Sequence, residues 1–504
     1  MSAATGQQAG GWRRTSALGF LVRGIVALRN VVLPIVAVIF GSRGADKAGL
    51  FVAAAIPAIL IITFLSAYIR WRHFRYRIGE DDISVESGLL SRAARSVPYE
   101  RIQDVSLEQA LVPRLFGMVE VKFETGAGGK DEVKIAYVSE AEGAALRETV
   151  RARKDGEISP DAGEGGAVAE PEQAQALFAM DLPRLLTFGL FEFSLIVFAV
   201  LAGAAQQFDF LLPFEIWDPD AWGDLLAGPG DWLVHLGIAA QAIGIMLAAA
   251  VLGFVGLATG VARTALRDWD FRLEQTPKGL RRRRGLLTRT DVVMPLHRVQ
   301  ALKIATGIVR RHFGWHDLSV ISLAQDAKSA SHVVVPFGTM EEIAPVVATT
   351  GFTLPDDRTD WHRPSAKHRF DRALFSVAPM AVLGIGLAAF GYFWFAAGAG
   401  LAGAVLAFRQ HFLWLHDRHA MDARQLYIRR GWLAPRLDIA SRVKLQSVEV
   451  AQGPIARRRG YADLVFGLAG GSLAMHGIPL EDALAIRAAV LDSIAGVDFS
   501  RLPE

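Results

Sequence analysis

Cysteine is absent from all 504 residues, and its absence removes several kinds of chemistry. Disulfides, thiol catalysis, thiolate-bound zinc and iron–sulfur clusters are all excluded. Charge is scarce as well. Charged residues make up 21% of the chain, and the formal net charge of +3 gives by itself no argument for a nucleic-acid partner.

Recognisable catalytic motifs are also missing. The sequence has no P-loop, no G-x-S-x-G and no H-E-x-x-H. His411, His416 and His419 are close in sequence, but spacings of five and three do not place all three on one helical face. We therefore expect a protein that is not an enzyme, binds no metal and needs no cofactor.

Hydrophobic residues, by contrast, make up 52% of the chain and give it a mean hydropathy of +0.28. They are concentrated in blocks that are long enough, at about 1.5 Å rise per residue, to cross a hydrocarbon layer of roughly 30 Å. Gly391-Tyr392 divides the longest block, so we predict six spans in three helical hairpins. The blocks are Leu18–Phe40, Gly49–Ile69, Leu185–Ala205, Leu233–Val261 and Ala373–Phe408.

The distribution of arginine predicts the orientation of the hairpins. Arginines flank the outer ends of all three, whereas the loop 206–232 within the second hairpin has six acidic residues and no lysine or arginine. By the positive-inside rule this loop is external and both termini are cytoplasmic. Trp71, Trp269 and Trp414 follow the three exit ends, where interfacial anchors are expected. The sequence therefore predicts a multi-pass protein of the inner (plasma) membrane.

The polar segments that follow the hairpins are three copies of one repeat of roughly 80 residues. With a turn glycine of each copy in register, a basic residue follows after 13 positions, a glutamine after 15 and a second glycine after 29. We interpret these repeated residues as structural, because copies of different net charge share them. They are Gly88, Arg101, Gln103 and Gly117; Gly285, Arg298, Gln300 and Gly314; and Gly431, Lys444, Gln446 and Gly460.

Each polar segment reads as several strands followed by one helix. Residues of alternating character after the first basic position predict half-buried strands. Ser139-x-x-Glu142 and Thr339-x-x-Glu342 are capping boxes that predict the start of a closing helix. The expected fold is membrane α + β: each hairpin is followed by a small β-barrel or sandwich with a C-terminal capping helix.

The repeat resembles that of the bacterial PH-like membrane proteins of the YdbS/YdbT type. The first copy has Gly88-Leu-Leu, Arg101-Ile-Gln-Asp-Val and Arg114-Leu-Phe-Gly117, and the second copy has the same pattern. The third departs from it with Lys444 and Arg459. The resemblance implies seven-stranded, helix-capped PH-like domains on the cytoplasmic face. It brings no catalytic residues and no established substrate.

These observations give a provisional division of the chain. The predicted segments are an N-terminal segment with the first hairpin (1–70), PH-like domain 1 (71–154), a disordered linker (155–183), the second hairpin (184–262), PH-like domain 2 (263–355), a linker (356–372), the third hairpin (373–408), PH-like domain 3 (409–496) and a tail (497–504).

Two features outside the shared repeat pattern are candidate sites. The run Arg281, Arg282, Arg283 and Arg284 lies just before the turn glycine of the second copy, where it can contact anionic lipid headgroups or form a solvated positive-inside cluster. Stacking aromatics are not interleaved with it, so nucleic acid is not expected.

Glu192 is the second candidate, because it lies within a predicted span. An intramembrane carboxyl has two readings: proton coupling, or a hydrogen bond between helices. In the second reading its partner is Gln241 or Thr259 of the neighbouring span.

We expect a membrane scaffold or sensor that acts through three PH-like domains, with a role in envelope homeostasis. The expected partners are anionic membrane lipids and an unknown protein, for which a shorter PH-like membrane protein is a candidate. The alternative is a transporter or lipid-handling protein that uses the hairpins as a path.

Overall fold

The structure, a computed structural model, describes residues 11–28, 31, 48–88, 93–125, 133–154, 175–193, 237–277, 279–326 and 329–496. The helices are α1 (Leu18–Leu28), α2 (Ala48–His73), α3 (Leu111–Leu115), α4 (Glu140–Lys154), α5 (Leu182–Phe191), α6 (Gly237–Asp268), α7 (Met340–Thr349), α8 (Ala366–Ala389), α9 (Phe393–His416), α10 (Pro454–Arg459) and α11 (Leu480–Ala495).

Nineteen strands are formed by the described residues. They are β1 (Arg75–Ile78), β2 (Asp82–Ser87), β3 (Ala93–Pro98), β4 (Ile102–Gln109), β5 (Met118–Thr125), β6 (Val133–Ser139), β7 (Gln175–Ala179), β8 (Arg272–Thr276), β9 (Gly279–Arg284), β10 (Arg289–Met294), β11 (Val299–Ala305), β12 (His316–Asp326), β13 (Ser329–Gly338), β14 (Arg418–Met421), β15 (Gln425–Arg430), β16 (Arg436–Ser441), β17 (Ser447–Ala451), β18 (Tyr461–Leu468) and β19 (Gly471–Pro479).

Each copy of the repeat folds as two antiparallel meanders of three strands, closed by one helix. A short 3₁₀ turn joins the two meanders, at Tyr99–Arg101, Leu296–Arg298 and Arg442–Lys444. The shared basic position of the repeat is the last residue of this turn. Six strands per copy are therefore described, whereas the resemblance implied seven; β7 is an additional strand that precedes α5.

Neighbouring copies share their sheets. The third strand of each first meander pairs with the first strand of the preceding copy's second meander: β10 with β4, and β16 with β11. The results are a seven-stranded sheet (β6-β5-β4-β10-β9-β8-β7) and a six-stranded sheet (β13-β12-β11-β16-β15-β14). We call the β4–β10 pair the first joint and the β11–β16 pair the second joint. The sequence pattern had predicted three domains but no shared sheet.

Each copy has its own hydrophobic core, and the joints connect these cores. Ile439, which belongs to β16 of the third copy, packs in the core of the second copy. In the opposite direction, Ala301 of β11 packs in the core of the third copy. Both side chains are fully buried. The second and third copies are therefore held together by apolar packing as well as by strand pairing.

The closing helices begin where the capping boxes predict. At Thr339 both halves of the box are present, and the Thr339 backbone N–H donates to Glu342 Oε2 at 3.0 Å. At Ser139 the Glu142 N–H donates to Ser139 Oγ at 3.2 Å, which is one half of a box. The Glu142 carboxylate accepts a hydrogen bond from the buried Tyr76 hydroxyl. It thereby fastens the closing helix to β1 of its own copy.

The apolar helices pack in pairs: α1 with α2, α5 with α6, and α8 with α9. The chain turns between α8 and α9 at Gly391, whose φ is 85°, as the predicted break requires. Among the described residues, two helical stretches are long and apolar enough to cross a membrane, Ala249–Asp268 and Ala366–Ala389. The three-hairpin topology stays a prediction, and the loop 206–232 lies outside the described residues.

Two predicted linkers are partly structured. The segment 155–183 was expected to be disordered, but its last residues form β7, which pairs with β8. The buried Phe178 ring lies 5.9 Å from the Phe271 ring, and this apolar contact holds β7 against the second copy. In the segment 356–372, helix α8 begins at Ala366. Its Asp371 is buried and accepts a hydrogen bond from Tyr461 at 3.0 Å, which attaches the helix to the third copy.

Candidate functional site

The four consecutive arginines lie on β9, where alternation points them to opposite faces of the sheet. Arg282 is only 3% exposed, and its Nη1 donates to the carbonyl oxygen of Val333 at 3.0 Å. The hypothesis that all four arginines contact lipid headgroups is therefore wrong for Arg282. Its guanidinium is part of the packing of the second copy.

Arg281 and Arg283 point toward Asp291, which lies on the adjacent strand β10. Arg281 holds the carboxylate through two bonds, Nε to Oδ1 at 2.9 Å and Nη2 to Oδ2 at 2.6 Å. Arg147, from the closing helix of the first copy, approaches the same carboxylate at 3.4 Å, and Arg283 approaches it at 3.5 Å. Burial alone would raise the pKa of Asp291, but the Arg281 hydrogen bonds and the surrounding arginines lower it below its ordinary value.

Arg284 connects β9 to a long apolar helix. Its Nη1 lies 3.1 Å from Oδ1 of Asp268, the fully buried last residue of α6. Arg267 binds the other oxygen of the same carboxylate at 2.7 Å. The end of α6 is thus fixed to the sheet beside Trp269, which is one of the predicted interfacial anchors.

A cavity of about 370 Å³ lies between the first and second copies at this place. Its walls carry five arginines and three acidic residues, so it has an excess of two positive charges. Sequence reasoning identified three of the arginines but missed Arg147 and Arg289, which reach the cavity through the first joint. The lining residues are Leu107, Gln109, Val119, Glu140, Ala144, Arg147, Trp269, Asp270, Arg281, Arg283, Arg284, Gly285, Arg289, Thr290 and Asp291.

The five arginines are not equally available to a ligand. Arg281 and Arg284 are held by short ion pairs with Asp291 and Asp268. The Arg283 side chain is 44% exposed, and Arg289 is also exposed. Guanidinium groups recognise phosphate oxygens through paired N–H donors. The cavity can therefore hold an anion of phosphate type through Arg283 and Arg289, with the other arginines contributing charge.

Glu192 lies at the C-terminal end of α5, and its place inside a membrane span stays a prediction. Helix α5 ends at Phe191, and Glu192 caps its C-terminus. Its Oε1 lies 3.9 Å from Arg310 Nη1, on the 3₁₀ helix that follows β11. Thr259 uses its hydroxyl within its own helix, donating to the Val255 carbonyl at 2.6 Å. The expected partnership with Thr259 is therefore wrong, and the side chain of Gln241 lies outside the described residues.

The repeated glycines have the structural role that was expected of them. Both the turn glycine and the second glycine have positive φ in every copy: Gly88, Gly285 and Gly431 at 114°, 111° and 88°, and Gly117, Gly314 and Gly460 at 64°, 72° and 75°. Residues with a Cβ adopt such angles only at a cost, so the repeat depends on glycine here.

The repeated basic and glutamine residues are less uniform. Lys444 crosses the second joint, where its Nζ donates to the carbonyls of His297 at 3.1 Å and Val299 at 2.7 Å. Gln300 is buried and donates to the Arg298 carbonyl at 3.4 Å. Arg101 and Gln446 are exposed, and the side chain of Gln103 lies outside the described residues.

A further arginine of the repeat, three positions before the second glycine, makes the same contact at both joints. Arg114 donates to the carbonyl of Leu286 at 3.2 Å, and Arg311 donates to the carbonyl of Trp432 at 2.7 Å. Each acceptor is the residue directly after the turn glycine of the next copy. These two bonds show that the joints are repeated structures and not two unrelated contacts.

Comparison with known proteins agrees with this internal repetition. Residues 26–154, 229–349 and 374–494 each match the family described as Bacterial PH domain. The chain is 26% identical over 306 residues to the UPF0699 transmembrane protein YdbT of Bacillus subtilis (strain 168). This match covers 59% of the chain and 59% of the relative's own length. No solved structure matches. The chain is a membrane protein that belongs to the Bacterial PH domain family and carries three copies of this domain.

Proposed function

We propose that this membrane protein is a non-enzymatic scaffold and lipid sensor, in which three PH-like domains form one continuous array along the cytoplasmic face. The observation that supports it most strongly is the sharing of sheets at the first and second joints. Because strands of one domain complete the sheet of the next, the domains keep a fixed spacing. A fixed spacing is what a docking platform needs, whereas domains on flexible linkers would move independently.

Contacts between the domains and the apolar helices support the membrane-proximal position of the array. Asp181 caps the N-terminus of α5, and Arg184 in its first turn lies 2.8 Å from Glu342 at the start of the second domain's closing helix. In the third domain, Asp371 of α8 lies 3.2 Å from Arg459 and bonds Tyr461. Each of these helices is thereby fastened to the domain that follows its hairpin.

We further propose that the cavity between the first two domains binds the headgroup of an anionic lipid. The cavity has an excess of positive charge, and each basic residue near a membrane surface contributes about 1 kcal/mol of attraction to anionic lipids. Trp269 lines the cavity and follows directly after the apolar helix α6. A ligand that combines a phosphate with an apolar tail fits this combination of arginines and a neighbouring membrane helix.

The transporter alternative has less support. It requires a polar-lined path between the hairpins, and the one carboxyl singled out within a predicted span, that of Glu192, lies 3.9 Å from Arg310 of the second domain. The role in envelope homeostasis and the partnership with a shorter PH-like membrane protein stay predictions.

The test of headgroup binding uses the full-length protein, because the shared sheets make an isolated second domain an incomplete fold. The protein is purified in mild detergent and supplied with phosphatidylglycerol or phosphatidylcholine, and retained lipid is counted by native mass spectrometry. We expect selective retention of phosphatidylglycerol. The double variant Arg283→Ala/Arg289→Ala should retain about thirtyfold less, since about 1 kcal/mol is lost for each of the two charges removed.

The matched control is Arg424→Ala/Arg487→Ala, which removes two exposed arginines from the third domain. It makes the same change in net charge but leaves the cavity intact, so phosphatidylglycerol retention should equal that of the unmodified protein. Equal losses in both double variants, or equal retention of the two lipids, would contradict headgroup binding at this cavity.

A further inference from the structure

The two three-stranded sheets at the ends of the array each leave open the edge at which the other copies form a joint. Within the described part of the chain, β3 pairs only with β2, and β17 pairs only with β18. These two strands are counterparts of strands that are joined elsewhere. β3 corresponds to β10 and β16, whereas β17 corresponds to β4 and β11. One molecule therefore presents both halves of a third joint, one at each end.

Both internal joints have the same register when equivalent positions of the repeat are compared. In the first joint, Leu107 of β4 lies opposite Asp291 of β10. Aligning the copies at their turn glycines makes Ile304 the equivalent of Leu107 and Leu437 the equivalent of Asp291. Ile304 and Leu437 lie opposite each other in the second joint. The register is therefore a property of the repeat.

The same register can be applied to the open edges. The equivalent residues there are Val450 and Ala94, and pairing them places Glu449 opposite Arg95. A glutamate and an arginine directly opposite each other on antiparallel strands attract.

The second joint has opposite charges at the positions equivalent to Glu449 and Arg95. Lys303 of β11 lies opposite Asp438 of β16. The charges are exchanged relative to the open edges, where the acidic residue is on β17, the equivalent of β11, and the basic residue is on β3, the equivalent of β16. There the Asp438 carboxylate is bound by Arg436 of its own strand at 2.6 Å. A pair of opposite charges across the open edges would therefore have a precedent within the array.

Burial differs between the joints and the open ends. The joint residues equivalent to Arg95, which are Val292 and Asp438, are buried, whereas Arg95 is exposed. Among the residues equivalent to Glu449, Ser106 is buried and Lys303 is half-buried, whereas Glu449 is exposed. The ends of the array thus leave open a surface that the repeat covers wherever a neighbouring copy is present.

The arginine contact of the joints also has an unused counterpart. Arg114 and Arg311 each donate to a backbone carbonyl of the next copy. Arg457 is the equivalent residue of the third copy, and it is exposed. Within the described residues its side chain makes no hydrogen bond or ion pair, so its guanidinium is available for the same bond.

We propose that β17 of one molecule pairs with β3 of a second copy of this chain, so that the array continues from head to tail. The second copy is the occupant that the repeat itself specifies: it carries the matching edge, the matching register and the opposite charge. Such a contact uses two different surfaces, so it produces a ring if it closes and a filament if it does not. This proposal does not depend on headgroup binding at the cavity.

Cysteine crosslinking tests the register directly, because the natural chain has no cysteine. Two full-length forms with different tags, Arg95→Cys and Glu449→Cys, are co-expressed and oxidised mildly in membranes. Residues that are directly opposite have Cα atoms about 4.5 to 5.5 Å apart, which is within disulfide range. We expect a covalent heterodimer that carries both tags. The control pairs Glu449→Cys with Ser96→Cys, whose side chain points to the other face of the strand. It should give at least tenfold less product.

Charge exchange gives a second test that does not depend on chemistry at sulfur. Glu449→Arg places arginines on both edges, and Arg95→Glu places acids on both, so each variant alone should lose self-association in detergent or nanodiscs. A mixture of the two should recover it, because each edge then meets an opposite charge. Recovery on mixing also demonstrates that both variants are folded.

The competing explanation is that Arg95 and Glu449 are charges that protect exposed edges from pairing. It predicts a monomeric mass for the unmodified protein and equal, low crosslinking in both cysteine pairs. Either result overturns the proposal, as does crosslinking of Glu449→Cys to another protein in place of the second copy.

Discussion

Arg284 and Asp268 form an ion pair of 3.1 Å that fastens strand β9 to the last residue of the apolar helix α6. The Asp268 side chain has no exposed surface, whereas that of Arg284 is 22% exposed. A buried carboxylate requires its positive partners, because an unpaired charge in the interior is costly. This pair therefore contributes to the attachment of the apolar helix α6 to the second copy.

Replacing Arg284 by alanine should lower the free energy of unfolding by about 2 kcal/mol, because Asp268 would keep only Arg267. Denaturant titration of the full-length protein in mild detergent measures the change. Arg283→Ala is the matched control on the same strand. Its side chain is 44% exposed and its contact with Asp291 is 3.5 Å long, so its loss should be below about 0.5 kcal/mol. Similar losses in the two variants would refute this assignment.

His419 should make the protein sensitive to mild acid. Burial lowers the pKa of His419 to about 4, and the nearby His362 acts in the same direction. The unfolded chain has an ordinary histidine pKa of about 6.5, so between these values only the unfolded state binds the proton. The stability from this site is thus fully present above about pH 6.5 and is lost as the pH falls toward 4.

The difference between the natural protein and His419→Gln isolates this effect from the carboxyl groups that titrate in the same range. Relative to the variant, the natural protein should lose up to about 3 kcal/mol between pH 6.5 and 4. Denaturant midpoints at several pH values give the measurement. Parallel curves for the two proteins would show that His419 does not carry the acid sensitivity.

Lys444 should control how firmly the second and third domains are joined. Burial lowers the pKa of Lys444, and its ammonium group donates to two carbonyls across the second joint. Lys444→Met removes both bonds but keeps a chain of similar length. Amide hydrogen exchange in β11 and β16 should become at least about tenfold faster, since a hydrogen bond from a charged group contributes about 1.5 kcal/mol or more. Gln446→Ala, an exposed change two residues away, should leave exchange unchanged. If both variants exchange alike, Lys444 does not hold the joint.

Two repeated glycines of the second domain should differ in what they tolerate. Gly314 has a φ of 72° and open space around the position of a Cβ, so Gly314→Ala should cost about 1 to 2 kcal/mol through backbone strain. At Gly285, with a φ of 111°, a Cβ would lie 1.9 Å from the Thr288 carbonyl oxygen. The turn must then move, so Gly285→Ala should destabilise the protein by clearly more than Gly314→Ala. Equal unfolding midpoints would contradict this turn geometry.

The sequence alone determined the components of this protein. Apolar blocks indicate the long helices, because a helix needs about 20 consecutive apolar residues to cross a membrane. The three-copy pattern indicates the domains, and its glycines mark the positions where φ is positive. The capping box at Thr339 marks the start of a closing helix, because its two side chains satisfy backbone groups within the same turn. All of these signals depend on residues that are close together in the chain, so they can be recognised from the sequence.

The tertiary structure alone decided how the components join. The alternation of side chains in the sequence indicates which face of a strand is buried. It does not indicate which strand will pair with it, because strands pair through backbone groups that every residue carries. The pairing of β10 with β4 therefore could not be anticipated. Three further arrangements also depended on the tertiary structure: Arg282 is buried in the second copy, Arg147 and Arg289 line one cavity, and the Glu192 carboxylate lies 3.9 Å from Arg310.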